Sequence, residues 1–290
     1  MESMNRDLMR VIQSKFTRLS KGQKMIADFI LKHYDKAAFM TAAKLGQNVG
    51  VSESTVVRFA IELDYEGYPE LQKSLQELVK TKLTAVQRLE LTNDLVDEEN
   101  ALKSVLKADM ENIRTTMEKV NQKTFDVFVD TIVDAKKVYI IGLRSSTALS
   151  EFLGFYLNLI LNNVEVLHHG MSDIYEQLLH LGEGDVVIGI GFPRYSIKTV
   201  QVLKFARGRG AKIISLTDSL LSPLASVSDL TVIAQSNMAS FVDSLVAPMS
   251  IINAIIISVG LKRRQAVTEA FSKLEEIWEE NKVFMTKDND

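Results

Sequence analysis

Two glycine-led segments hold the residues best suited to binding an anion. Gly142-Leu-Arg-Ser-Ser-Thr and Gly189-Ile-Gly-Phe-Pro-Arg-Tyr-Ser-Ile-Lys each follow a short apolar run and each lead into a helical stretch. Such a turn collects backbone N–H groups and hydroxyls at a helix start, where they can donate to a phosphate or a carboxylate. Arg144, Ser145 and Ser146 in the first segment and Arg194 and Ser196 in the second add guanidinium and hydroxyl groups. Guanidinium forks match both anions in geometry. His169 and Ser172 follow another apolar run and are expected at the same mouth. Structural duties suit the same residues: serine is a good helix cap, and either arginine can face solvent or pair with an acidic residue.

Other chemistries find less support. The adjacent His168 and His169 raise the question of a metal, but no third histidine or carboxylate cluster stands at ligand spacing, so neither metal nor cofactor is expected. Glu151, Glu176 and His180 are available as the base of an aldose–ketose isomerase, but none falls in a motif. The chain has no cysteine, which removes disulfides and thiolate chemistry and fits a reducing compartment. Met1–Arg10 has no apolar signal segment, and the most apolar stretch, Ile251–Leu261, is interrupted by Asn253, Ser258 and Gly260. A cytoplasmic protein without a membrane span is the expectation.

A second constellation lies near the amino terminus, in Thr41-Ala-Ala-Lys-Leu-Gly-Gln-Asn-Val-Gly-Val-Ser-Glu-Ser-Thr-Val-Val-Arg-Phe-Ala. Gly50 can supply the left-handed residue of a tight turn, and Ser52 can cap a new helix with Val56, Phe59, Ala60 and Leu63 inward. Ser52, Glu53, Ser54, Thr55 and Arg58 would then face outward, as a helix-turn-helix needs to reach phosphates and base edges. Residues 1–60 carry ten Lys/Arg against five Asp/Glu, whereas the whole 290-residue chain has a net charge of -3. A basic head on an acidic chain suits a polyanion.

The surrounding elements divide the chain into four parts. Residues 1–77 read as short helices, with a capping box from Ser20 to Gln23. Residues 78–123 form a helical connector without glycine or proline up to 122, carrying apolar Leu83, Val86, Leu89 and Leu91 and then Leu102, Leu106, Met110, Ile113 and Met117, with a break near Asn93–Asn100. Residues 124–262 alternate strands and helices, and residues 263–290 form a terminal helix and tail. Strands are expected at Val138–Ile141, Val164–Leu167, Val186–Ile190, Ile213–Leu216 and Leu230–Ile233. Short all-apolar strands separated by helices predict a five-stranded parallel sheet flanked by helices. The apolar residues of Phe241–Leu261 and the helix Ala266–Phe284 with Trp278 suit either the core or a subunit contact.

Three segments give the head a specific likeness. Leu19-Ser-Lys-Gly-Gln-Lys-Met-Ile-Ala-Asp-Phe-Ile, the core Gly-Val-Ser-Glu-Ser-Thr-Val-Val-Arg-Phe, and Leu63-Asp-Tyr-Glu-Gly-Tyr-Pro-Glu-Leu-Gln resemble the amino-terminal domain of RpiR/MurR regulators of carbohydrate genes, over residues 15–78. Residues 125–260, with Gly208-Arg-Gly-Ala-Lys-Ile-Ile-Ser-Leu-Thr-Asp, resemble the SIS (sugar isomerase) domain of the same regulators. The resemblance implies a regulator that binds double-stranded operator DNA and senses a sugar phosphate or similar anionic metabolite, as a homodimer or homotetramer. An isomerase-like enzyme and a SIS domain serving only as a dimerisation scaffold are the alternatives. The loops depart from the family pattern. Arg144 replaces the second glycine of Gly-x-Gly-Ser-Ser, and Gly191, Pro193, Arg194 and Ser196 occupy Ser-x-Ser-Gly-x-Thr. Ser145, Ser146 and Ser196 carry over.

Overall fold

The computed structural model describes residues 8–82, 86, 100–170, 172–237 and 242–284. The sequence positions Leu83, Leu89, Leu91, Phe241 and the expected break near Asn93–Asn100 lie outside these, Asn100 excepted. The chain divides into two compact units, Met1–Leu91 and Thr92–Asp290.

The first unit is helical: α1 (Leu8–Lys15), α2 (Lys21–Ala37), α3 (Ala42–Val49), α4 (Glu53–Glu62) and α5 (Tyr68–Lys82). Ser20 and Gln23 form the expected capping box at the start of α2. Helical periodicity turns Ile12, Ile26, Ile30, Leu45, Val56, Phe59, Leu71 and Leu75 inward, and all are fully buried. Helix α5 clamps the turn between α2 and α3. Tyr68 donates its hydroxyl to the Met40 carbonyl at 2.7 Å, and the Gln72 amide donates to the same oxygen at 2.8 Å. Burial pushes the Tyr68 phenol up to about 12.

The turn from α3 to α4 is set by two glycines. Gly50 closes α3 in the left-handed conformation (φ 81°), and Gly46 packs against the backbone of the turn into α4. A methyl group there would sit 2.8 Å from the Val51 carbonyl oxygen. Ser52 then caps α4 by accepting from the Thr55 N–H. At the far end, Lys15 donates to the Glu62 carbonyl at 2.7 Å and pairs with Asp64 at 2.8 Å, which places a cation at the carboxyl end of α4.

The second unit is a three-layer α/β domain. Its helices are α6 (Ala101–Lys119), α7 (Gln122–Val133), α8 (Thr147–Leu161), α9 (Ile174–Gln177), α10 (Ile197–Gly208), α11 (Val246–Lys262) and α12 (Arg264–Glu280). Its strands are β1 (Val138–Gly142), β2 (Val164–Val166), β3 (Val186–Ile190), β4 (Lys212–Thr217) and β5 (Leu230–Ile233). They form one parallel sheet in the order β2-β1-β3-β4-β5. The central β1 and β3 are buried along their whole length, as apolar strands covered on both faces must be. One face packs against α7, α8 and α11 through Phe128, Leu153, Ile252 and Ile255. The other packs against α9 and α10 through Ile174, Leu178, Val202 and Leu203.

Two sequence boundaries fall inside elements of the structure. Position 77/78 lies within α5 and position 123/124 within α7; α6, read from sequence as connector, is bonded to the α/β unit. Asn112 exchanges two hydrogen bonds with the backbone of Asn237, Thr116 accepts from the Gln235 N–H, and Ser244 donates to Asp109. Helix α11 buries Ala247, Ile251, Ile252, Ile255 and Val259, so this face serves the core of its own chain. No single described helix is long and apolar enough to cross a membrane.

The close approach at Gly46 yields a direct test. Gly46→Ala should destabilise the helical unit by about 1–3 kcal/mol, because the carbonyl it meets is backbone and cannot turn aside. A urea titration followed by circular dichroism measures the loss; an unchanged midpoint would contradict this packing.

Candidate functional site

The strand order reverses between β1 and β3, since β1 connects outward to β2 whereas β3 continues toward β4. In open parallel sheets the crevice at such a reversal, at the carboxyl ends of the strands, is where ligands sit. Gly142 pairs with Ile190 at that end, so the loop 143–146 and the loop 191–196 leave the sheet side by side. The first turns through a short 3-10 segment, Arg144–Ser146, directly into α8, and the second enters α10.

Arg144 and Arg194 share an unusual backbone. Both have φ 61°, in the left-handed region that L side chains rarely adopt. Both side chains are exposed, and among the described residues neither is ion-paired. Ser145 is exposed; Ser146 is buried and leaves the first-turn amides of α8 without a side-chain cap. Ser196 caps α10 by accepting from the Thr199 N–H at 3.3 Å. The structure thus gives Ser196 the positioning duty that its sequence context allowed.

The β2 loop supplies the rest of the rim. His169 and Ser172 are exposed there. Asp173, next along, caps α9, and the Tyr175 N–H donating to its carboxylate holds it below the usual aspartate range, with Lys198 and His169 adding to the effect. Lys198, in the first turn of α10, stands 3.4 Å from Asp173 and 4.1 Å from the centre of the Tyr175 ring, and so ties the second loop to the third. His168 is occupied elsewhere: its Nδ1 lies 2.9 Å from Glu151, and Gln177 bonds its backbone on both sides. Of the three candidate bases, Glu151 is thus engaged with His168, and Glu176 accepts from the Asp173 N–H at 3.0 Å. No group of three metal-ligating side chains occurs among the described residues.

Several residues that make polar contacts at this end of the sheet were not singled out from sequence. Lys198 is one. Tyr195 and Asp218 are others: the tyrosine hydroxyl donates to the buried Asp218 carboxylate at 2.6 Å, and Thr217 bonds the same oxygen. The signal was the pair Thr217-Asp218 at the carboxyl end of β4, beside the loop after β3. A groove of about 460 Å³ at the opposite end of the sheet is lined by Asp130, Asp134 and Asp185, the wrong charge for an anion.

In the helical unit, α4 presents Glu53, Ser54 and Arg58 to solvent. The Ser52 hydroxyl is 2.9 Å from those of both Ser54 and Thr55, forming a hydroxyl cluster at the helix start. Arg58 spends its Nε–H on the Ser54 carbonyl at 3.2 Å, which steadies the side chain along the helix. Thr55 is only partly exposed, and its methyl group lies 3.3 Å from where a Cβ on Gly22 would stand. That contact brings the amino end of α2, with Lys21 and Lys24, alongside α4.

Both units match known families. The model of the helix-turn-helix domain, rpiR family, matches residues 6–82, and that of the SIS domain matches residues 131–258. The HTH-type transcriptional regulator HexR of Escherichia coli K12 is 25% identical over 289 residues, covering 95% of this chain and 96% of its own. The sugar isomerase domain of an RpiR transcription factor from Sphaerobacter thermophilus superposes with a TM-score of 0.59 at 26% identity, over 61% of this chain and 99% of that one. The Vibrio vulnificus NanR protein complexed with ManNAc-6P shares the fold at a TM-score of 0.57 and 19% identity, over 94% of this chain and 98% of that one. The chain is a helix-turn-helix transcriptional regulator with a SIS domain. Its helix-turn-helix domain is of the rpiR family.

The left-handed arginines predict a specific order of stabilities. Arg194→Gly should leave stability at or above that of the natural chain, whereas Arg194→Val should cost about 1–3 kcal/mol, because a β-branched residue resists positive φ. Urea unfolding of the two variants decides it, and equal stabilities would remove the backbone assignment at this loop.

Proposed function

We propose that this regulator is a cytoplasmic homodimer whose SIS domain binds a sugar phosphate, or a similar small anion, without transforming it. Arg144, Ser145, Ser146, Arg194, His169 and Ser172 make the ligand contacts, and Ser196 holds the first turn of α10. One observation carries this reading: two adjoining strand ends each carry an arginine in left-handed backbone with no ion-pair partner among the described residues. A ligand anion is the partner those guanidinium groups suit. The NanR complex supports it, since that protein of the same fold is complexed with a sugar phosphate. The engagement of Glu151 and Glu176 in hydrogen bonds, together with regulator relatives, supports binding rather than catalysis.

Ser52, Glu53, Ser54, Thr55 and Arg58 of α4 face the operator, and the amino end of the helix favours a phosphate. Effector binding changes the spacing or orientation of the two DNA heads, which requires different effector affinity in the two states.

A thermal-shift series tests the effector. Sugar phosphates and sugar acids should raise the melting temperature while their uncharged counterparts do not. At a hundredfold excess over Kd the stabilisation is about 2.7 kcal/mol. Arg144→Ala and Arg194→Ala should lose the shift and keep DNA binding; retention of the shift in both would place the ligand elsewhere.

The DNA face has its own test. Arg58→Ala should weaken operator binding by about 1–3 kcal/mol if it reads a base, and weaken all sequences equally if it holds a phosphate. Fluorescence anisotropy on operator and scrambled duplexes separates the two outcomes, and no loss on either would exclude Arg58 from the interface.

A further inference from the structure

Loop 191–196 is anchored at both ends and exposed in the middle. Its first half is buried: Gly191 donates its N–H to the Leu216 carbonyl at 3.2 Å, and Phe192 and Pro193 are covered. Its last residue, Ser196, caps α10. Between them Arg194 keeps its left-handed backbone and an exposed side chain, and Tyr195 follows it directly. The tyrosine ring packs against the sheet on the α10 side, and its hydroxyl donates to Asp218 Oδ1 at 2.6 Å. Asp218 is itself held in place. It directly follows β4, it is buried, and the Thr217 hydroxyl donates to the same oxygen at 3.3 Å.

We propose that Asp218 is a positioning residue of the effector site: through the Tyr195 hydroxyl it holds the loop in the turn that presents Arg194. This rests on the effector reading above and adds a group that does not touch the effector. The sign of its charge makes the assignment specific. A buried carboxylate one tyrosine side chain away from an anion site repels the anion, the more so where water is scarce. By charge alone, removing Asp218 tightens anion binding. As the anchor of the Arg194 turn it does the opposite. Left-handed backbone outside glycine persists only where the surroundings enforce it, and a hydrogen bond from the next residue to a buried carboxylate is such an enforcement. Without that bond the loop gains conformations that no longer present the guanidinium, and affinity falls with the fraction that still does.

Variants of the full chain separate the two effects. Tyr195→Phe keeps the packed ring and the carboxylate and removes only the bond. Asp218→Ala removes bond and charge together. Asp218→Asn removes the charge, while its side-chain carbonyl still accepts from the tyrosine. Trypsin reports on the loop, since cutting after Arg194 needs the loop to open and its rate follows the open population. Inorganic phosphate, followed by phosphorus NMR line broadening, reports on the site, whose share of the signal is the part that Arg194→Ala abolishes. Tyr195→Phe and Asp218→Ala should be cut after Arg194 about tenfold faster and bind phosphate about tenfold more weakly, the scale of one charge-assisted hydrogen bond. Asp218→Asn should fall between these two and the natural chain. Tighter phosphate binding by both Asp218 variants, with Tyr195→Phe unchanged, would show an effect of charge alone and overturn the assignment while leaving the effector site standing. Natural rates of cutting and natural binding in Tyr195→Phe would do the same. Phosphate broadening that Arg194→Ala leaves intact would overturn the effector reading, and the positioning role with it.

Discussion

The parallel pairing of β1 with β3 is the constraint on which the α/β unit depends. These two strands are buried from end to end, their ladder bonds are out of reach of water, and a register slip would leave apolar side chains and backbone groups unmatched. Because the chain departs in opposite directions from their neighbouring carboxyl ends, their pairing alone juxtaposes the loops that hold Arg144 and Arg194. The helices then fix each loop from behind. Ser196 ties down the start of α10, the 3-10 turn runs straight into α8, and Lys198 secures the second loop to the β2 loop through Asp173. The site is a consequence of strand order more than of any one side chain.

The architecture was legible in the sequence because its signals are local. Apolar runs of three to six residues gave all five strands to within a residue or so at each end, and Ser20, Ser52 and Gly50 announced the helix ends they form. What sequence could not show were contacts between distant segments. Thr55 sits in an outward-looking stretch, yet its methyl group is taken by α2. His168 and His169 look alike on paper, but Glu151 reaches one of them from α8. Tyr195 and Asp218 are 23 positions apart and meet only once β4 lies beside β3. Helix α6 misled differently. Its open apolar face and its few buried polar anchors give a composition between core helix and linker, and only Asn237, Gln235 and Ser244 reveal where it is bound.

In the helical unit the same principle holds on a smaller scale. Helix α4 has a single buried side, Val56, Phe59 and Ala60, and both its ends are fixed by polar groups from neighbours. Ser52 serves the amino end and Lys15 the carboxyl end. Tyr68 and the glutamines of α5 hold the preceding turn by satisfying carbonyls that the end of α2 leaves free. The outward face of α4 is thereby presented on a rigid frame, and a rigid frame is what lets a few side chains discriminate among base sequences.

The arginines bear on whether the SIS pocket still binds or only serves as scaffold. A loop that has merely to turn the chain is least strained with glycine at a left-handed position, and any other residue costs about 1–2 kcal/mol there. This chain bears that cost twice, at adjoining strand ends, and in both cases with arginine. Set against a total stability of about 5–15 kcal/mol for a typical protein, two such residues are a sizeable fraction. A scaffold role draws nothing from either residue. On the proposed effector reading an anion between the two guanidinium groups does, since each charge-assisted hydrogen bond contributes about 1.5–3 kcal/mol and offsets the strain of its own loop. Binding and loop geometry are then one energetic unit, which is the coupling a sensor needs and a scaffold does not.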